Sequence, residues 1–141
     1  MLNKILVNSK ISLIKNYIKE IEGIIFNLGI KEILADYTKL RTLERNFQLV
    51  VDEMIDINLY LIKENELAVP SDFQGSFEVL SEAKILPLDF AIRVAPVVGL
   101  RNRLVHRYEE IDRKFFIEQV KKDHKDFIKY IKLITDYINK Q

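Results

Sequence analysis

Residues 40–62 read LRTLERNFQLVVDEMIDINLYLI, and their apolar positions set the architecture of the chain. Leu40, Leu43, Phe47, Val50, Met54, Ile57 and Leu61 alternate spacings of three and four over three heptads, so one helix carries them all on one face. Leu49, Val51, Ile55 and Ile62 widen that stripe beyond the narrow seam of a two-stranded coil. A helix apolar over so much of its circumference belongs inside a bundle or between two subunits. On the residues alone, both placements stay open.

The flanking segments keep the same period. From Ile5, the positions Ile11, Ile14, Tyr17, Ile18, Ile21 and Ile25 recur mostly three and four apart, and Gly23 and Gly29 predict a break near residues 27–30. Beyond the central stripe, Asn65 to Gly75 reads as a connection, with Pro70, Ser71, Asp72 and Gly75 supplying turn chemistry. A short helix over Ser76 to Lys84 places Phe77 and Leu80 inward. Pro87 opens another helix running toward Tyr108, with a kink or break at Pro96 and Gly99. Asp112 is the N-cap of a last helix whose stripe is Phe116, Val120, Phe127, Ile131, Ile134 and Ile138. There is no β alternation and no internal repeat. The expected fold is all-α: an up-and-down bundle of about five helices, some kinked, forming a single domain over residues 1–141.

Composition narrows the function classes. A chain of 141 residues can bury roughly 68–70% of its unfolded surface in one core. With 48% hydrophobic residues, 4 Gly and 3 Pro, it is too apolar for disorder and too poor in turn formers for a loop-rich β fold. No cysteine is present, which excludes disulfides, thiolate zinc sites and cysteine nucleophiles. Lys4, Lys10, Lys15 and Lys19 interrupt the apolar residues of the N-terminus, where a signal peptide needs roughly 7–15 uninterrupted ones. Ala91 to Leu100 carries Arg93 and is far shorter than the ~20 residues that span a bilayer. These features predict a cytoplasmic protein that engages no membrane.

Familiar catalytic patterns are mostly missing. The glycines are scattered, so no phosphate-cradling loop exists, and two histidines provide no HExxH zinc arrangement. His124 lies among Lys121, Lys122, Asp123, Lys125 and Asp126, a pattern read as a solvated charged face. The segment Arg93 to Tyr108, RVAPVVGLRNRLVHRY, is different. It holds four of the seven arginines and no acidic residue, leaving 18 basic against 21 acidic groups elsewhere. The formal charge of +1 therefore conceals a basic window in a mildly acidic frame. Arginine's planar fork binds phosphate oxygens bidentately. On charge alone, a solvated arginine face accounts for the window equally well.

Helical geometry adds detail. Asn102 and His106, four apart, share a face and are placed to hydrogen-bond, while Arg101, Val105 and Tyr108 share another. Arg101 and His106, five apart, diverge by roughly 140° on a straight helix. Two solutions aim both at one point: two copies facing each other across a two-fold axis, or a helix that ends or kinks near His106. The residue set suits phosphodiester cleavage. Histidine exchanges a proton with a ribose 2′-hydroxyl or the departing 5′-oxygen, and arginine stabilises the extra charge on phosphorus. Neither role requires a metal. Asn102 is a candidate to fix the imidazole tautomer, and Tyr108 to bond a phosphate or stack on a base.

Arg101-Asn102-Arg103-Leu104-Val105-His106-Arg107-Tyr108 resembles the motif of HEPN-domain ribonucleases, and in particular of the HepT-like toxins: Arg, four residues with Asn first, His, one residue, Tyr. Leu40-Arg41, Glu44-Arg45 and Gln48-Leu49 are similar to that family's first block, with Ile55-Asp56-Ile57 following. Phe77, Leu80, Leu86-Pro87 and Gly99 match its middle helices, and Ile111-Asp112 opens the last one. The resemblance covers about Lys39 to Gln141. It implies a HEPN-like, all-helical homodimer whose two motifs meet in one cleft, cleaving RNA without metal or other cofactor through Arg101 and His106. Arg103 and Arg107 are then RNA-contacting candidates. The resemblance also implies the toxin role of a type VII toxin–antitoxin pair. Its partner would be a minimal nucleotidyltransferase (MNT) antitoxin that silences it by attaching AMP to Tyr108, adding charge and bulk that repel RNA. The competing reading is a non-catalytic helical module that binds RNA or a nucleotide in the same basic groove, or serves as a partner subunit.

Overall fold

A computed structural model describes residues 1–141 as seven α-helices and one 3₁₀ turn, with no strand. The helices are α1 (Lys4–Ile25), α2 (Ile30–Ala35), α3 (Tyr37–Glu64), α4 (Gly75–Glu82), α5 (Leu88–Val94), α6 (Val97–His106) and α7 (Arg113–Asn139), with the 3₁₀ turn at Tyr108–Glu110. Each long helix starts on a side-chain cap: Asn3 accepts from Leu6 N–H, Asp36 from Lys39 N–H and Asp112 from Phe115 N–H. Asp112 fills the role its sequence context predicts. Asp112→Ala is expected to cost about 1 kcal/mol, read as a fall of roughly 3 °C in Tm by thermal unfolding.

The expected bundle is present. Contacts between helix ends give its directions: Asn3 N–H donates to the Tyr60 hydroxyl, so α1 runs antiparallel to α3. Arg101 meets Asp52 and Tyr108 meets Glu44, so α6 returns antiparallel to α3. Asn58 and Asn65 both meet α7, through Tyr130 and Tyr137, so α7 runs alongside α3 in the same direction. The order α1, α3, α5–α6, α7 is therefore down, up, down, up.

The central stripe is core, not an interface between subunits. Leu40, Leu43, Phe47, Val50, Met54, Ile57 and Leu61 are each at most 3% exposed within one chain. Phe47 packs edge-on against Phe116, with ring centroids 5.3 Å apart, and against Phe127 at 5.7 Å. Deeper in, Tyr130 donates to Asn58 Oδ1 at 2.6 Å, and Asn58 donates to the Ser76 hydroxyl at 3.0 Å, which satisfies the buried polar groups that join α3, α4 and α7. On the outer side of α3, Lys10 of α1 is held between Glu53 and Asp56, 3.2 Å from each.

The expected break near residues 27–30 is present, at Phe26–Gly29, with Gly23 itself continuing α1; the six-residue α2 that follows leaves little periodic signal in so short a run. Two local expectations are corrected. Pro96 does separate α5 from α6, but Gly99 sits within α6. His124 is not on a solvated face. It is 6% exposed, its ring edge-on to Phe26 at 5.4 Å and its Nδ1 2.9 Å from the Lys121 carbonyl. The reason is α2, which packs with the end of α1 over that side of α7.

Candidate active site

The break at Ala95–Pro96 lets α6 turn away from α5 and run down the side of α3. Val97, Val98 and Leu100 are its buried anchors. The helix stops at His106, where Arg107 leaves the helical region (φ −139°, ψ 45°) while its N–H closes the last turn on the Arg103 carbonyl. Arg103 and His106 occupy that last turn, where positive charge suits the carbonyl end of the helix. The helix therefore ends at His106, with Arg101 and His106 both within its span.

Arg101, Asn102, Arg103, His106 and Arg107 line one open cavity of about 520 Å³, with Phe73 and Gly99 completing its wall. Three of the four arginines of the basic window converge here. The fourth, Arg93, is elsewhere: it pairs with Asp126 of α7 at 3.1 Å and lies over the Phe90 ring. Arg101 is the ordered member. Its Nε donates to Asp52 Oδ1 at 2.7 Å and its Nη1 donates to Asn102 Oδ1 at 3.1 Å, with the side chain 19% exposed. Two bonds fix the plane of the guanidinium and leave its other N–H groups for a ligand. Arg103 and Arg107 are exposed and form no ion pair, so with Arg101 they make the cavity a concentrated positive surface, and His106 is exposed beside them.

Two expected pairings do not form. Asn102 accepts from the Arg101 guanidinium and makes no hydrogen bond to His106. Tyr108 shares no helical stripe with Arg101, since α6 has ended two residues earlier. Tyr108 instead turns into a second, smaller cavity of about 210 Å³ lined by Arg41, Glu44, Arg45, Gln48, Leu104 and Tyr108 itself. Its hydroxyl donates to both oxygens of Glu44, at 3.0 and 3.1 Å. The Arg41 guanidinium lies over its ring at 4.5 Å from the centroid, and that of Arg113 at 5.4 Å. Burial pushes the Glu44 carboxyl above its ordinary value, against the lowering by the Tyr108 hydroxyl, Arg41 and Arg113. The Tyr108 phenol is also pushed up, first by burial and then by the adjacent Glu44 carboxylate.

Asp52 is the site residue that sequence reasoning missed. The available signal was a polar row on α3, where Arg41, Arg45, Gln48 and Asp52 recur three and four apart beside the apolar stripe. That row marks the face against which α6 lies, but nothing in the spacing names Arg101 as the partner.

The sequence profile of a family described as ribonuclease HepT-like matches residues 14–134, which extends the likeness upstream of Lys39 into α1. The tRNA nuclease HepT of Aphanizomenon flos-aquae is 25% identical over 134 residues, covering 95% of this chain and 90% of that one. The mRNA nuclease HepT of Shewanella oneidensis is 28% identical over 133 residues, covering 94% and 98%. Among solved structures, the tri-AMPylated Shewanella oneidensis HEPN toxin in complex with an MNT antitoxin superposes with a TM-score of 0.85 at 26% identity, covering 96% of this chain and 99% of that one.

Proposed function

The chain belongs to the ribonuclease HepT-like family, and from that membership we propose that it is an RNA-cleaving toxin acting through Arg101 and His106 and restrained by an MNT-type nucleotidyltransferase. The observation that carries the reading is the convergence of Arg101 and His106 on one basic cavity, with Arg101 held by Asp52. An RNA phosphate seated against the free edge of Arg101 brings its ribose within reach of the end of α6. His106 takes the 2′-hydroxyl proton as the 2′-oxygen bonds to phosphorus, or it protonates the departing 5′-oxygen as that bond breaks. The products are a 2′,3′-cyclic phosphate and a free 5′-hydroxyl. Arg101 stabilises the additional negative charge on the pentacoordinate phosphorus, while Arg103 and Arg107 hold the flanking backbone.

One imidazole serves as base or acid, but not as both at once. A homodimer with two cavities opposed across a two-fold axis supplies the second imidazole and a continuous basic groove. Chemistry of this kind uses no metal, so cleavage of total RNA by the purified protein is expected to persist in EDTA. Absence of cleavage across neutral pH, with RNA still bound, would favour the non-catalytic binding module. Asp52 enters as a positioning residue. Asp52→Asn is expected to lower kcat roughly tenfold, within the loss that small misplacement of a catalytic group produces, with little change in KM and partial rescue by Asp52→Glu.

The restraint is the addition of AMP to Tyr108. The neighbouring Shewanella structure is of an AMPylated toxin with its antitoxin, and Tyr108 presents its hydroxyl in a cavity separate from, but two residues beyond, the one holding His106. Negative charge added there opposes the approach of RNA to the same end of α6.

A further inference from the structure

The second cavity holds a buried carboxylate that RNA cleavage does not use. We infer that Glu44 is the base that takes the phenolic proton of Tyr108 as the tyrosine receives AMP, while Arg41 and Arg113 draw the incoming phosphate onto the hydroxyl. The inference rests on the reading of Tyr108 as the AMP acceptor.

Glu44 sits on the core side of the polar row of α3, 5% exposed, with Arg41, Arg45 and Gln48 beside it in the cavity wall. A carboxylate so placed carries a desolvation cost that a purely structural role does not require. Both of its oxygens are within 3.1 Å of the Tyr108 hydroxyl, so the phenolic proton points inward and the oxygen lone pairs face the cavity mouth. Three cations surround the pair: Arg41 over the ring and also 3.4 Å from Glu44, Arg113 over the same ring, and Arg45 in the cavity wall; the acidic Glu109 and Glu110 follow Tyr108 in the exposed 3₁₀ turn. A nucleophile hydrogen-bonded to a base, with cations stacked on its ring within side-chain reach of an incoming phosphate, is an arrangement suited to group transfer to a hydroxyl.

The step balances as follows. Tyr108 Oη bonds to the α-phosphorus of ATP, the bond from that phosphorus to the bridging oxygen breaks, and pyrophosphate departs. The proton passes to a Glu44 oxygen. A phenol is protonated at neutral pH and burial pushes this one further up, so a proton acceptor is required, and burial also makes Glu44 a stronger base than an exposed carboxylate.

Glu44→Gln tests this, because the amide oxygen still accepts the tyrosine's hydrogen bond but cannot take its proton. With the chain's own nucleotidyltransferase and Mg·ATP, the first AMP addition, followed by intact mass, is expected to slow by about 10²-fold or more. The wild-type rate should fall as acidification protonates Glu44, and that limb should vanish in Glu44→Gln. Glu44→Asp should recover part of the rate and keep the limb, which a tether alone would not do. An aryl sulfonyl fluoride reads the same hydroxyl without a partner protein: sulfur replaces phosphorus, fluoride leaves, and labelling of Tyr108 should drop to a similar degree in Glu44→Gln. Tyr108→Phe sets the zero for both. Equal labelling and equal AMP transfer in wild type and Glu44→Gln, at matched Tm, would overturn the inference. Wild-type protein that takes no AMP while its sulfonylation still depends on Glu44 would instead overturn the modification reading beneath it.

Discussion

His106→Ala is expected to lower RNA cleavage by about 10²–10⁴-fold, the range of a lost general acid or base, with the fold intact. His106 is exposed at the last position of α6 and makes no side-chain hydrogen bond, so its removal leaves the core untouched. Surface changes of this kind usually stay within about 0.5 kcal/mol of stability. Arg101→Ala should produce a loss of similar rank through a different route: it removes charge stabilisation of the transition state and leaves Asp52 without its ion-pair partner. Arg101→Lys separates the two contributions. It keeps the positive charge but not the fork that bonds Asp52 and Asn102 together, so activity should recover only in part. Cleavage rates on total RNA, beside thermal melts of the same preparations, give the comparison. Full cleavage by His106→Ala would sink the catalytic assignment and leave the cavity as a binding surface.

The largest stability effect is expected from Phe47→Ala, at about 3–5 kcal/mol. Phe47 is wholly buried where α3 meets α7, in contact with both Phe116 and Phe127. Deleting the ring removes one partner from two aromatic contacts, and the rigid helices α3 and α7 cannot close over the space. A loss of that size is a large part of the roughly 5–15 kcal/mol by which domains are stable. Urea unfolding should show the midpoint falling with the slope m unchanged. The experiment also separates the two placements that the apolar stripe alone allows. A subunit interface would make the loss depend on protein concentration, whereas a core residue gives the same loss at every concentration.

Much of the bundle was legible in the sequence because a helix that buries one face must repeat its apolar residues every three or four positions. The stripes of α1, α3 and α7 and the cap at Asp112 are local facts of that kind. Helix ends were less legible. Both α3 and α4 close through left-handed residues, Glu66 (φ 53°) and Lys84 (φ 62°), rather than through the glycine that ordinarily marks such a stop. Here the packing of the chain beyond the helix holds a backbone conformation that the residue type does not favour.

At the site the division is sharper. Sequence by itself singled out the candidate residues, since the order Arg101, Asn102, His106 and Tyr108 and the absence of acids from Arg93 to Tyr108 are properties of one short window. Tertiary structure alone decided how they are shared out. Packing of α6 on α3 gave Arg101 to Asp52, Asn102 to Arg101, and Tyr108 to Glu44. The ending of α6 at His106 then split the window into a basic cavity and a tyrosine cavity. Side-chain spacing specifies a direction around one helix; a hydrogen-bond partner is chosen by whichever second helix is brought against it, and that choice belongs to the core.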